Sequence, residues 1–252
     1  MKQVFHGGIL ALQFLTRIPL RIECGTDEKT LKWALRFFPA SGLVIGACMF
    51  VLFQLLNDIL PASILALLLI SVWVYLSGGL HLDGVMDVAD AAGSNGDVEK
   101  KREILKDSRA GSFAVLAVIF LLGWKWIFVH NLLPIDHFGI YLIVIPMLSR
   151  FQVLMHLYGF KAFQTGGMAS FWKQHLSMKE LIIAACWLLP FMAFNWIVCM
   201  MFLLQLLFCF LFGRWSEKQF QGINGDTAGA SIEGAELWNL GVLYSFFLFG
   251  MV

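Results

Sequence analysis

Residues 78–90 read GGLHLDGVMDVAD, with four residues from Asp83 to Asp87 and three from Asp87 to Asp90. On a helix that spacing puts three carboxylates on one face, on successive turns. Like charges so placed repel, and they follow directly on the apolar run PASILALLLISVWVYLS, where desolvation adds to the cost. A hard divalent cation would neutralise them, and Mg²⁺ held by carboxylates and completed by substrate phosphates is the usual form of such a site. A cation pathway in a transporter and a solvated helix end are the competing readings. Gly78, Gly79, Gly84, Ala89, Ala91, Ala92 and Gly93 leave little side chain beside the acids, so a neighbouring helix or a bulky substrate can come close. His81 lies about 200° around the helix from Asp83. Substrate contact or acid–base work therefore stands beside a structural hydrogen bond for that residue.

Two further polar stretches suit phosphate chemistry. In KDSRAGSF, 106–113, Asp107 would add a carboxylate to a metal site and Arg109 would clamp a phosphate through paired donors. Ser108 and the backbone around Gly111 would add donors; an Asp capping the next helix is the plainer alternative. In NGDTAGASIEGAE, 224–236, Asn224 and Gly225 favour a turn, and Asp226 or Thr227 can cap the helix that follows. Glu233 and Glu236 then share a face inside apolar helix, where acids are costly. Arg150, in another apolar run, can pair with one of them or bind a phosphate. Lys161, Lys173 and His175 lie in a loop that could close over a ligand, but their spacing names no chemistry.

The elements that must position these residues belong to a membrane protein. Of 252 residues, 59% are hydrophobic and 14% charged, where a soluble domain has about 25% charged. With a mean hydropathy of +0.77, bilayer must serve as part of the solvent. A net charge of +1 gives no drive toward nucleic acid. Cys24, Cys48, Cys186, Cys199 and Cys209 show no CxxC spacing and read as small apolar residues. The N-terminal MKQVFHGGILALQFLTRIPL lacks a small-x-small cleavage site and reads as a retained interfacial or short re-entrant helix.

Apolar runs able to span fall at 37–57, 61–81, 112–130, 138–157 (with Pro146 as a kink), 181–213 and 229–250. The run 181–213, broken by Pro190 and Asn195, would be about 50 Å long as one helix, against a hydrocarbon core of about 30 Å. Lysine and arginine concentrate at 17–36, 97–109, 161–179 and 214–218, and are missing from the turns at 58–60 and 131–137. Two spans within 181–213 place every basic loop on one side, the cytoplasmic one. The expected architecture is an all-α, polytopic integral membrane bundle forming one domain, 1–252. It has about seven transmembrane helices plus the N-terminal helix, and 83–90 continues the second span at its cytoplasmic end. A short helix is expected over DVEKKREILK, 97–106.

GGLHLDGVMDVAD, KDSRAGSF, NGDTAGA at 224–230 and FLTRIPL at 14–20 resemble, in order along the chain, the signature regions of the cobalamin synthase (adenosylcobinamide-GDP ribazoletransferase) family. The resemblance implies an Mg²⁺-dependent transferase in a bacterial cell membrane, the inner one if Gram-negative, with its active site facing the cytoplasm. A ribose hydroxyl of α-ribazole, or of its 5′-phosphate, would attack adenosylcobinamide-GDP to give adenosylcobalamin, or its 5′-phosphate, and GMP. Carried onto this chain, the catalytic residues are Asp83, Asp87, Asp90, Asp107 and Arg109, with the four aspartates as metal ligands. His81, Lys106, Ser108, Arg150, Lys161, Asn224, Asp226 and Thr227 are the expected substrate contacts. Lys161, in YGFK, stands where the family often has Tyr-Ala-Arg, and Asn224, in GINGDT, departs from the common Gly-Gly-Leu-Thr-Gly-Asp. The implied partners are the two small-molecule substrates and the lipid bilayer, with an oligomer or other cobalamin-assembly enzymes left open. Two rival readings are weaker. A CDP-alcohol-type phosphotransferase would carry Ala and Arg where Asp87 and Val88 stand, and a transporter would favour inverted repeats, which the sequence does not display.

Overall fold

The computed structural model describes residues 1–107 and 109–250, and no β-strand occurs among them. The chain begins with α1 (Lys2–Leu15), about 21 Å long at 1.5 Å per residue and too short to cross a bilayer. An extended stretch leads to α2 (Glu28–Arg36), which starts where the Asp27 carboxylate accepts from the Thr30 backbone N–H. These two helices pack on each other through Gly7, whose missing side chain lets Trp33 and Ala34 approach.

Behind them, α3 (Phe38–Leu56) lies along α8 (Phe138–Gly159), and the contact is made by glycine. A Cβ on Gly42 would collide with the Pro146 carbonyl, and one on Gly46 with the backbone of Leu142 and Ile143. Small residues of this kind let helix backbones meet where no hydrophobic drive separates protein from lipid. Helix α8 continues through Pro146 and is buried over most of its length, which makes it the axis of the bundle.

The second apolar run forms α4 (Ala62–Ser77) and stops at Gly78 and Gly79, with φ of +75° and +72°. Both angles are left-handed, a conformation open to glycine at little steric cost. The following α5 (Leu80–Gly93) leaves at 91° to α4. The expected straight continuation of the span through 83–90 is therefore corrected: α5 turns across the end of the bundle, outside the span. The expected short helix forms as α6 (Val98–Ile104), capped by Asp97.

Among the described residues, four helices are long and apolar enough to cross a membrane by themselves: α3, α8, α7 (Ser112–Leu132) and α12 (Trp196–Phe220). After α9 (Met168–Gln174), the run 181–213 divides at the residues that interrupt it. Its first half is two short helices, α10 (Met178–Ala185) and α11 (Leu189–Phe194), with Pro190 in the opening turn of α11. Asn195 then caps α12 by accepting from the Ile197 N–H. The last helix, α13 (Gly225–Leu248), is about 36 Å long and packs against α5, α7, α8 and α12.

The polar residues inside these helices neutralise one another. Lys125 of α7 donates to Glu233 and to Glu236 of α13, at 2.6 Å each. Arg150 of α8 pairs with the other oxygen of Glu236, which also accepts from Trp73 of α4 at 3.0 Å. Lys125, Arg150, Glu233 and Glu236 are each 2% exposed or less. Two cations and two anions on three helices, joined by Trp73 from a fourth, thus tie the bundle together with no net charge.

Candidate active site

Helix α5 lies against the start of α13, and Gly84 sets the distance. A Cβ on Gly84 would stand 2.6 Å from the Asp226 carbonyl oxygen, so only a residue without one allows this approach. The start of α13 is held by a reciprocal cap: Asn224 Oδ1 accepts from the Thr227 N–H, and Thr227 Oγ1 accepts from the Asn224 N–H, at 2.9 and 2.8 Å. Asn224 Nδ2 also donates to Asp226 at 2.6 Å and fixes that carboxylate at the helix entrance. The acids of α5 and Asp226 of α13 are thereby gathered at one mouth.

Their mutual field is visible at Asp87. Its carboxyl is pushed up to about 6, first by burial and then by Asp226, Asp83 and Asp90. Every charge acting on it is negative, which is the state a bound cation would relieve. Among the described residues, no three His, Cys, Asp or Glu side chains already stand close enough to enclose a metal.

Asp90 serves a different purpose from its two neighbours. Its carboxylate accepts from the backbone N–H of Gly111 at 2.5 Å and of Ala114 at 2.8 Å. It thus caps α7 from another helix, and a Cβ on Gly111 would crowd the Asp90 carboxylate. This bond anchors Gly111, at the end of the loop that carries Asp107 and Arg109, beside Asp90. Within that loop, Arg109 grips Asp107 with two parallel donors at 2.9 and 2.6 Å, and the arginine is 87% exposed. Held by those bonds, the Asp107 carboxyl falls to about 2. Lys106 is exposed, and Ser108 lies outside the described residues.

A cavity of about 190 Å³ opens beside the mouth, with Asp83 and Asp226 on its lining and His81 in its wall. His81 is 3% exposed, and its Nδ1 has no hydrogen-bond partner.

A family model described as Cobalamin-5-phosphate synthase matches residues 7–244. The chain belongs to that family. Relatives named adenosylcobinamide-GDP ribazoletransferase include that of Halalkalibacterium halodurans, 37% identical with 98% of each chain covered. One from a Geobacillus species is 37% identical over 94% of this chain and 95% of its own. Another, from Ectopseudomonas mendocina, is 33% identical over 90% and 93%. No solved structure matches. Family membership decides against the CDP-alcohol and transporter readings.

In this member of the cobalamin-5-phosphate synthase family, the expected site residues separate into groups. Asp83, Asp87, Asp226 and His81 come together around one opening. Asn224 and Thr227 build the cap that presents Asp226. Arg150 is instead in the bundle interior with Glu236, the ion-pair alternative open to it from the sequence. Lys161 is exposed on a strip whose backbone pairs with Ile223, just ahead of α13. Lys173 donates to the carbonyls of Leu157, Tyr158 and Phe160 and so closes the C-terminal end of α8. Lys125 belongs to no motif; its only sequence signal is a lone lysine inside the apolar run 112–130. The aromatic cavity wall carries no signal either, because its residues come from three separate helices.

Proposed function

We propose that the acidic mouth joins adenosylcobinamide-GDP to α-ribazole, or to its 5′-phosphate, and releases GMP, with Mg²⁺ held by Asp83, Asp87 and Asp226. The observation that carries this reading is the convergence of α5 and α13 on one cluster of uncompensated carboxylates, in a chain of this family. The donor set fits the ion. Mg²⁺ takes hard oxygen ligands and usually one or two carboxylates, leaving the remaining positions to water and substrate phosphates. Carboxylates that are near but not closed around a point suit an ion that arrives with its phosphate ligands. When bound, the metal would withdraw charge from the phosphoryl oxygens and the departing nucleotide.

The chain's own residues supply position and further charge. Asp226 is aimed by Asn224 and kept against α5 by Gly84. Asp90 holds Gly111, two residues after Arg109, and the nearby cations Lys106 and Arg109 would attract an anionic diphosphate. An aspartate oxygen left free of metal would take the proton from the attacking hydroxyl. The basic stretch 97–109 follows closely on α5 in the sequence, which supports a cytoplasmic active site.

The direct test supplies the purified chain with adenosylcobinamide-GDP, α-ribazole and Mg²⁺ and follows cobalamin and GMP. Equimolar formation of both, lost on chelation and restored by Mg²⁺, is the expected result. Product formation that is equal with and without the metal would remove the assignment of Mg²⁺, and no product at all would remove the reaction. Running α-ribazole and its 5′-phosphate in parallel identifies the preferred acceptor.

A further inference from the structure

We infer that the cavity beside the acidic mouth receives the flat heteroaromatic base of the acceptor nucleoside, with the His81 imidazole as its polar contact. This rests on the transfer reaction proposed above and adds where the acceptor lies.

Size limits the occupant. A dry cavity of about 150 Å³ holds a benzene, and sites for whole drug-sized ligands begin near 300 Å³. A space of about 190 Å³ therefore takes one or two fused rings and is too small to enclose a corrin macrocycle or a complete nucleotide. Shape narrows the choice further. One wall is made by Phe14 of α1, Phe38 of α3 and Trp172 of α9, packed with ring centroids 5.0 to 5.9 Å apart. Rings of this kind offer faces and edges to another aromatic ring.

Polarity then separates the two bases present in the reaction. Guanine, in the donor, carries three edge acceptors, and the cavity's side chains offer them only the His81 imidazole and the Trp172 indole N–H, so its acceptors would not all be paired there. The benzimidazole base of α-ribazole is apolar on its outer edge and keeps a single free ring nitrogen. His81 is the matching group: its imidazole is buried and lines the cavity. An imidazole carries an N–H in either tautomer, and the ring nitrogen accepts one. With the base inside, the attached ribose emerges between Asp83 and Asp226, the residues that line both the cavity and the acidic mouth. The hydroxyl to be activated and the carboxylates that would activate it are thus brought together.

Competition on the unaltered chain is the first measurement. Free 5,6-dimethylbenzimidazole should compete with α-ribazole and not with adenosylcobinamide-GDP; competition against the donor, or none at saturating base, overturns the inference. The second measurement uses Ala228→Leu, which narrows the cavity from a partly exposed position, and His81→Leu, which removes the polar contact. Each should raise the KM for α-ribazole about tenfold, well beyond any change in the KM for the donor, in keeping with one lost contact. His81→Gln should recover part of that loss. Equilibrium dialysis of α-ribazole without donor or metal should show the same order of affinities. If transfer proceeds but neither variant changes acceptor affinity, the cavity assignment fails and the reaction stands. If the base binds in a His81-dependent way but no transfer occurs, the reaction fails and the cavity assignment stands.

Discussion

At the scale of single residues, Asp87 and Asp90 lie one helical turn apart and do opposite things for stability. Asp87 is raised to about 6 by burial and by three other carboxylates, so its ionised form works against the metal-free fold. The sign follows from proton linkage. Between an unfolded value of about 3.9 and the folded value near 6, the folded state binds more protons, so stability falls as pH rises through that window. Asp87→Asn should therefore raise the melting temperature of chelator-treated protein at pH 7.5, and the advantage over wild type should shrink as pH falls below 6. The same substitution should cost about a hundredfold or more in Mg²⁺-dependent transfer. Asp90→Asn should lower the melting temperature at every pH, by about 1 kcal/mol in stability, because an amide cannot accept both backbone N–H groups that α7 presents. Thermal melts of the two variants across pH 5 to 8 check both. A stabilised Asp90→Asn would mean that the cap is not made. The spacing of the aspartates was enough to mark the cluster, but not to tell these two apart. Asp90 finds its partner 21 residues on, across a loop whose path no periodicity encodes.

At the scale of elements, the site depends on two glycines that act in different ways. Gly79 has open space around its Cβ position and a φ of +72°, so alanine there meets only backbone strain, about 1–2 kcal/mol. Gly84 has no positive φ, but a Cβ there would stand 2.6 Å from the Asp226 carbonyl. Gly84→Ala should push α5 away from α13 and cut transfer at least tenfold, since displacements of about 1 Å can cost more than that. Gly79→Ala should lower the melting temperature and retain more activity than Gly84→Ala. Assays normalised to folded protein distinguish the two; equal losses would mean that Gly84 does not set the α5–α13 distance. The apolar runs revealed where helices lie, but the two spans expected within 181–213 are not both formed. Its first half is two helices of 8 and 6 residues, too short to cross, and only α12 is long enough. The 91° turn escaped because the same i,i+4 pattern reads identically on a straight helix and on one that restarts after Gly78–Gly79. Only the sign of two φ angles separates those cases.

At the scale of the whole molecule, the bundle rests on a charge balance that crosses three helices. Lys125 offsets Glu233 and Glu236 together with Arg150, and all four side chains lie out of water. A buried pair gives little net stability over an apolar replacement, but removing one partner leaves an uncompensated charge in a low dielectric, at about 3–5 kcal/mol. Lys125→Met should therefore destabilise the chain by about that amount, measured as unfolding in detergent micelles. Adding Glu233→Gln removes the anion left over and returns the cluster to neutrality, with Arg150 still facing Glu236. The double variant should recover most of the loss, and a double variant no more stable than Lys125→Met alone would show that shape rather than charge governs this core. The acidic mouth should respond in the opposite sense to the loss of an anion, because its carboxylates have no cationic side chain among the charges acting on Asp87. Deleting the Asp87 carboxylate there should relieve the metal-free fold, whereas deleting Glu236 alone would leave Lys125 sharing one acid with an unpaired Arg150. One chain thus keeps a neutral cluster within its bundle and an uncompensated one at its mouth, and the uncompensated one is where a cation and its phosphates would bind.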